Sequence, residues 1–179
     1  MLVGADVRHP KLFMAMDEYG AAKEKNIQRR SAIGLTHYLV DPDITIDDIL
    51  NRAPLAEAAF DVIYSGKIPP NPAEVLMSER LEELLGEASK RYDYVILDSA
   101  PVLVVADTLT FTRFADETIY VMRAGVTENK VLAHARRLEQ EGKLKNLSFV
   151  VNGVSKSLLG YGDGYGYGYH SGSRKKKKR

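Results

Sequence analysis

The sequence predicts an α/β fold built around a parallel β-sheet, and three observations indicate it. First, short apolar runs with the length of buried strands recur along the chain. Second, the segments between them repeat apolar residues at helical spacing. Third, the two patterns alternate, which is typical of βαβ units whose parallel sheet is covered by helices on both faces. The predicted strands are 94–98, 118–123, 147–152, a weaker one at 60–64, and the end of another at 1–4.

Two helices between these strands are predicted from their capping residues and periodicity. Ser78 is a favourable N-cap for a helix over 79–91. Thr127 is predicted to cap a helix over 128–141, and Gly142 can end that helix. Each helix repeats its apolar residues on one face: Leu81, Leu84, Leu85 and Ala88 in the first, and Val131, Leu132, Ala135 and Leu138 in the second.

Length and composition fit one soluble globular domain, since 45% of the 179 residues are hydrophobic and 27% are charged. The absence of cysteine excludes disulfides, thiolate metal sites and a cysteine nucleophile, and it agrees with a cytoplasmic location. No apolar run reaches the roughly 20 residues that a membrane-spanning helix needs. The first ten residues also lack the basic and apolar pattern of a signal peptide.

Composition divides the chain into a body, residues 1–159, and a tail, residues 160–179. The segment 160–172 holds six of the 14 glycines and no aliphatic residue. Because it can bury little apolar surface, the tail is predicted to be mobile. Four of the ten tyrosines lie there: Tyr161, Tyr165, Tyr167 and Tyr169.

Positive charge is concentrated at the end of that tail. Residues 174–179 are all Lys or Arg, and without them 19 basic residues face 24 acidic ones, a balance of about −5. An acidic body opposes nucleic acid, so no nucleic-acid partner is predicted. The basic run can be a solvated or cloning-derived end, or it can contact anionic lipid.

Polar residues that can carry chemistry follow the predicted strands. They are Asp6, Asp98, Arg123 and Asn152. In open α/β sheets ligands bind at the carboxyl ends of the strands, so these side chains can bind a metal ion and a phosphate-bearing ligand. The alternative is structural, because acids are common turn residues and Asn152-Gly153 is a common turn.

Three segments resemble the bacterial tyrosine kinases of capsular and exopolysaccharide biosynthesis. Asp6-x-Arg8 after an apolar strand resembles their second Walker motif, A-prime, and residues 92–101 resemble their Walker B segment. The stretch 65–78, with its Pro69-Pro70-Asn71-Pro72 run, is similar to a family signature and is the most specific of the three. With the tyrosine-rich tail, the resemblance covers nearly the whole chain.

This resemblance implies a P-loop ATPase type of fold and a protein-tyrosine autokinase that uses ATP and Mg²⁺. It implies transfer of the γ-phosphoryl group to tail tyrosines of a neighbouring subunit in a ring-like homo-oligomer. Protein tyrosine substrates, a tyrosine phosphatase and a transmembrane chain-length-determinant activator are the implied partners. The implied location is the cytoplasmic face of the plasma membrane.

The resemblance also assigns roles to the acids and to Arg8. Asp98 and Asp6 are expected to hold Mg²⁺, and Asp6 also to accept the tyrosine proton. Arg8 is expected to contact phosphate or the acceptor, with a salt bridge as the alternative. Asp107 resembles a further acid of the family, although it can equally cap the following helix.

The remaining assignments concern the nucleotide, the proline run and the acceptors. Arg123 and Asn152 are expected near the adenine, because an amide offers both a donor and an acceptor. From the residues alone, the proline run is only a stiff connector before the Ser78 helix. The four tail tyrosines named above are the expected phosphoacceptors.

Two departures from the family pattern shape the functional prediction. The sequence contains no G-x-x-x-x-G-K-[ST] loop to cradle phosphates, and Gly4 stands where many members carry an acid. We therefore expect the C-terminal portion of a kinase domain that is inactive by itself. The alternatives are a non-catalytic phosphoacceptor or assembly module, and a deviant-Walker partition-type ATPase, which leaves the tyrosine tail unexplained.

Overall fold

The computed structural model describes residues 1–12, 14–15, 33–55 and 58–155. The tyrosine-rich tail and its basic end lie outside the described residues, so the prediction that they are mobile stays a prediction. Among the described helices, none is long and apolar enough to cross a membrane.

The described strands and helices alternate along most of the chain. The strands are β1 (Leu2–Gly4), β2 (Leu50–Leu55), β3 (Ala58–Ile63), β4 (Ile96–Asp98), β5 (Thr118–Arg123) and β6 (Leu147–Asn152). The helices are α1 (Leu35–Val40), α2 (Ile46–Ile49), α3 (Pro72–Leu76), α4 (Glu79–Arg91), α5 (Thr108–Phe111), which continues into a 3₁₀ turn over Thr112–Phe114, and α6 (Asn129–Gln140).

The strands form two sheets in the described part of the chain. One has the order β2-β3-β1-β4 and the other pairs β5 with β6. The pairs β1–β3, β1–β4 and β5–β6 are parallel, as predicted, whereas β2 and β3 form an antiparallel pair that was not predicted. Strand β2 was not predicted because its sequence, Leu-Asn-Arg-Ala-Pro-Leu, contains no continuous apolar run. Its proline is typical of a strand at the edge of a sheet.

The capping predictions are confirmed at some positions and wrong at others. Helix α4 has the predicted bounds with Ser78 at its N-cap, but the Ser78 hydroxyl is buried without a hydrogen-bond partner. Helix α6 begins after Glu128, because the Thr127 hydroxyl accepts a hydrogen bond from the Arg123 amide at 2.9 Å instead of capping the helix. Gly142 follows α6 with a positive φ of 71°, which suits its predicted role in ending the helix.

The main core lies between the four-stranded sheet and helices α1 and α4. The largest fully buried side chains include Leu35, Ile63, Leu81 and Leu84. Arg80 of α4 donates to the backbone oxygens of Tyr38 and Ile44 at 2.7 Å each, and its guanidinium lies 4.1 Å from the centre of the Tyr38 ring. These contacts hold α1 and the segment after it against α4.

One face of the smaller sheet is open in the described structure. Ile119 and Val121 of β5 and Val150 of β6 are exposed, as is Ile96 of β4. Val121 and Val150 are partners in the β5–β6 register, so their exposed side chains form one apolar surface. The predicted cover on both faces is therefore incomplete over residues 33–55 and 58–155. An exposed apolar surface of this kind is typical of a site where another polypeptide segment or a ligand binds.

Gly4 has a steric reason to be glycine. A Cβ at this position would lie 2.8 Å from the Ser65 hydroxyl oxygen and 3.2 Å from the Ser65 backbone nitrogen. The same hydroxyl is buried and donates to the Gly4 carbonyl oxygen at 2.8 Å. A side chain at position 4 would therefore require Ser65 to shift from this packing.

We expect Gly4→Ala to lower the free energy of unfolding by about 1–3 kcal/mol, because the added methyl group overpacks a buried contact. Gly86→Ala is the matched control. Gly86 lies inside α4 with no atom within 4 Å of an added Cβ. There the same substitution should stabilise the helix by up to about 1 kcal/mol. Urea unfolding of both variants measures the difference, and equal effects would contradict the steric account.

Candidate active site

The two predicted carboxylates meet where β1 and β4 end. The strands are parallel neighbours, with Gly4 opposite Asp98 in the register. The chain after β1 bends over the end of β4, since the amides of Ala5 and Asp6 both donate to the Asp98 carbonyl oxygen, at 2.7 and 3.0 Å. The structure thus brings Asp6 and Asp98 together, as the strand-end argument predicted.

The Asp6 side chain is oriented by its own loop. Its Oδ1 atom accepts hydrogen bonds from the amides of Arg8 at 3.1 Å and His9 at 2.9 Å. Within the part of the chain that the structure describes, the Oδ2 atom receives no such bond. One carboxylate oxygen therefore fixes the loop, while the other is available to a ligand.

Asp98 has an unusual electrostatic environment. Partial burial raises the pKa of its carboxyl group, and the negative charge of Asp6 raises it further. Both effects disfavour the ionised form, and a cation between the two carboxylates would relieve both. The two side chains thus form a site at which positive charge favours the ionised form of Asp98.

Arg8 points to Asp107 in this structure. Its Nε atom donates to Asp107 Oδ2 at 2.9 Å, and its Nη2 atom donates to the same oxygen. The salt bridge that the sequence left open is therefore present, between residues 99 positions apart. Asp107 is the N-cap residue of α5, but its side chain makes no capping hydrogen bond. A contact of Arg8 with phosphate stays a prediction.

A cavity of about 380 Å³ opens above the two carboxylates. Its lining combines charged or polar residues with apolar ones. Its lining residues are Asp6, His9, Lys11, Asp98, Ala100, Pro101, Val104 and Val105. Sequence reasoning missed His9 and Lys11 as site residues, although both follow Asp6 closely in a loop at the strand end, and that position was the available signal.

The signature stretch 65–78 packs beside β1, the strand that precedes Asp6. Ser65 bonds the Gly4 carbonyl oxygen as described above, and the Thr36 hydroxyl donates to the Lys67 carbonyl oxygen at 2.9 Å. The proline run is more than a connector to α4, because Pro72 begins the additional helix α3. This stretch therefore supports the end of β1 from the side opposite β4.

Arg123 and Asn152 lie together at the ends of β5 and β6, as partners in the register. Neither lines the cavity above Asp6 and Asp98. The Asn152 side-chain oxygen accepts a hydrogen bond from the Gly153 amide at 2.7 Å, and Gly153 has a φ of 69°. The turn that the sequence left as an alternative is present, and the nucleotide role of both residues stays a prediction.

The donor set suits magnesium in part. The described residues contain no group of three or more His, Asp or Glu side chains that could hold a metal. Magnesium is usually held by one or two carboxylates, with waters and phosphate oxygens as the other ligands. The Asp6–Asp98 pair fits that pattern. A loop that cradles phosphates is absent from the sequence, and the predicted phosphoacceptor tyrosines lie outside the described residues.

Comparison with known proteins identifies relatives by sequence and by fold. No protein-family model matches the sequence. Tyrosine-protein kinase wzc of Salmonella typhimurium is 40% identical over 111 residues, which are 62% of this chain and 15% of that protein. Tyrosine-protein kinase YwqD of Bacillus subtilis is 34% identical over 153 residues, 86% of this chain and 59% of that protein. The solved kinase domain of the Escherichia coli tyrosine kinase ETK matches with a TM-score of 0.70 and 30% identity, covering 94% of this chain and 59% of that chain.

The fold is therefore an α/β fold of the P-loop type found in such kinase domains, with two acids at the carboxyl edge of a parallel sheet. By sequence and by fold, the chain belongs to the bacterial tyrosine kinase family, as the motifs predicted. It spans 15% of the length of the Salmonella relative and 59% of the Bacillus relative.

We expect Asp6→Asn to lower the pKa of Asp98, because the substitution removes the neighbouring negative charge. The pKa should stay above the ordinary value of 3.8, since burial is the larger cause of its rise. Asparagine keeps an oxygen that can accept the Arg8 and His9 amides. Carboxyl ¹³C NMR titration measures the change, with the exposed Asp116→Asn as the control. An equal Asp98 pKa in both variants would contradict the coupling.

Proposed function

We propose that this chain is the C-terminal portion of the kinase domain of a protein-tyrosine autokinase that uses ATP. The observation that carries the proposal is that Asp6 and Asp98 meet where two adjacent parallel strands end and line one cavity. Family membership supports the reaction class, because the relatives named above are tyrosine-protein kinases. Strand-end acids beside an open cavity are suited to metal-assisted phosphoryl transfer.

In this proposal Asp6 and Asp98 would hold Mg²⁺, which when bound neutralises charge on the phosphates. The phenolic oxygen of the acceptor forms a bond to the γ-phosphorus of ATP, and the bond from that phosphorus to the ADP oxygen breaks. The proton of the phenol passes to the Asp6 carboxylate. Arg8 braces the loop that ends at Asp107, through the ion pair described above.

The proposed acceptors are the tail tyrosines, Tyr161, Tyr165, Tyr167 and Tyr169, of a neighbouring subunit in a ring-like homo-oligomer. Phosphorylating all four adds roughly −6 to −8 charges to each tail. Several such tails in one ring repel one another, so the modification favours disassembly, and a tyrosine phosphatase reverses it. Arg123 and Asn152 contact the adenine of the bound nucleotide in this proposal.

The proposed setting is the cytoplasmic face of the plasma membrane, where a transmembrane chain-length-determinant protein activates the kinase. The process served is capsular or exopolysaccharide polymerisation and export. A relative from Klebsiella pneumoniae, 36% identical over 145 residues, carries the cps region in its name. That name supports the assignment to polysaccharide biosynthesis.

The phosphate cradle has to come from polypeptide outside these 179 residues, because the sequence has no G-x-x-x-x-G-K-[ST] loop. Within the described residues, β4 and β5 each pair with a neighbouring strand on one edge only. Ile96 of β4 and Ile119 of β5 are exposed. A strand that carries the loop can add to such an edge, and the polypeptide that follows it can cover these exposed side chains. By itself the chain is therefore inactive in this proposal.

The missing loop also favours a second candidate, a non-catalytic phosphoacceptor that docks onto active kinase subunits. The two candidates differ in their need for Asp98. A catalytic chain needs its carboxylate, whereas a pure acceptor needs only its tyrosines. A comparison of Asp98 variants in a reconstituted reaction therefore separates them.

Three reactions with labelled ATP and Mg²⁺ test the proposal. The first holds the chain alone, the second adds the loop-bearing N-terminal portion of the ETK kinase domain, and the third adds the whole ETK kinase domain. We expect label on the tail tyrosines in the second reaction but not in the first. Asp98→Asn should reduce that labelling by about 100-fold or more, since it removes a charge that acts in the transition state.

Asp116→Asn, an exposed acid at another loop, should leave the second reaction unchanged. Label that appears only in the third reaction, and that Asp98→Asn does not reduce, would establish the phosphoacceptor and overturn the kinase. Mass spectrometry of the labelled tyrosines reports which tail residues are used.

A further inference from the structure

The apolar side of the cavity has a chemistry that the carboxylates do not explain. Ala100, Pro101, Val104 and Val105 line it, and we call these four residues the valine shelf. The Val104 side chain is largely in solvent, with the residue 80% exposed. Neither magnesium nor phosphate makes a favourable contact with an exposed isopropyl group. An exposed apolar surface next to two carboxylates instead fits a ligand with an apolar body and a polar end.

The backbone of the shelf is held in place by several hydrogen bonds. The amides of Val104 and Val105 donate to the Pro101 carbonyl oxygen at 2.9 and 3.0 Å. The buried Thr108 hydroxyl donates to the Ala100 carbonyl oxygen at 2.8 Å. Beyond the shelf, the loop is tied to the A-prime segment by the ion pair of Asp107. The shelf is therefore a formed surface that can receive a rigid ring at low entropic cost.

We propose that the valine shelf seats the aromatic ring of the acceptor, so that the cavity selects tyrosine over serine and threonine. This inference rests on the proposed function and names the specificity determinant of the same site. The phenol lies with its ring on Val104 and Pro101 and its hydroxyl at Asp6.

Reach and volume both favour a tyrosine. A tyrosine hydroxyl lies a full ring beyond Cβ, whereas a serine hydroxyl is bonded directly to Cβ. A serine would have to bring its backbone onto the shelf, where the backbone amide groups would lose water without finding partners. A cavity of about 380 Å³ accepts one phenol ring and leaves room for a phosphoryl group at the carboxylates.

Methyl NMR of the full chain tests the seat without needing phosphoryl transfer. The probes are N-acetyltyrosinamide, N-acetylphenylalaninamide and N-acetylserinamide. We expect the two aromatic probes to shift the methyl signals of Ala100, Val104 and Val105, and the serine probe to leave them in place. Adenosine is the fourth probe, and stronger binding of adenosine at these methyl groups would overturn the proposal in favour of a nucleotide seat.

Val104→Ser should weaken the binding of the tyrosine probe about threefold or more, because it removes apolar contact area. Val126→Ser is the matched control, since Val126 is also well exposed, at 66%, and lies outside the cavity lining. Both substitutions are at the surface, so the melting temperatures should agree with that of the unchanged chain. Equal affinity of the two variants would contradict the seat.

The reconstituted kinase separates this inference from the proposed function. Val104→Ser should lower kcat/KM for a tyrosine peptide about threefold or more relative to Val126→Ser. Transfer that is equal in Val104→Ser and Val126→Ser overturns the shelf and leaves the kinase standing. If the aromatic probes bind at the valine shelf but the reconstituted mixture transfers no phosphoryl group, the kinase proposal is overturned. The binding of an aromatic ring at the shelf is then still supported.

Discussion

The parallel pairing of β1 with β4 is the constraint on which the rest of the site depends. The pairing sets Gly4 opposite Asp98 and lets the chain after β1 fold over the end of β4, so that the Ala5 and Asp6 amides bond the Asp98 carbonyl oxygen. Two carboxylates from distant parts of the sequence thereby come within electrostatic reach of each other. Gly4 allows this, because any side chain there would collide with Ser65, which supports β1 from the other side.

The pairing of β1 with β4 brings two negative charges together, and the surrounding residues determine which cation can balance them. Burial and the charge of Asp6 both raise the pKa of Asp98, so a cation nearby would favour its ionised form. Arg8 is the nearest strong cation in sequence, yet Asp107 engages it with both Nε and Nη2. Arg8 therefore braces the loop that carries the apolar wall, while Lys11 lines the cavity beside the carboxylates. The short segment after β1 thus supplies both the Asp6 carboxylate and the Arg8 side chain that holds the loop at Asp107.

The sequence allowed prediction where a residue pattern is long or a motif is specific. β5, β6 and α4 lie within the predicted bounds because continuous apolar runs and a full helical period define them. The short helices α1, α2 and α3 were not predicted, since four to six residues contain too little of a helical period. Helix α5 was expected only as the helix that follows Asp107. Asp6 and Asp98 were found from their places at strand ends. His9, Lys11 and the shelf at Val104 were not, because they lie in loops, where only the folded chain brings them to one cavity.

Under the proposed function, the described part of the chain holds the metal-binding and acceptor side of a phosphoryl-transfer site. The carboxylates and the apolar wall can serve a metal ion and the body of an acceptor, whereas nothing in the sequence can wrap the phosphates of a nucleotide. The fold still matches a solved tyrosine kinase domain over 94% of this chain, so the open edge of β4 and the bare faces of Ile96 and Ile119 belong to a fold known in kinases. Under the proposed function, the polypeptide that covers this apolar surface also brings the phosphate loop to the carboxylates. Burial of exposed aliphatic side chains then drives the same association that completes the site, and catalysis becomes a consequence of assembly.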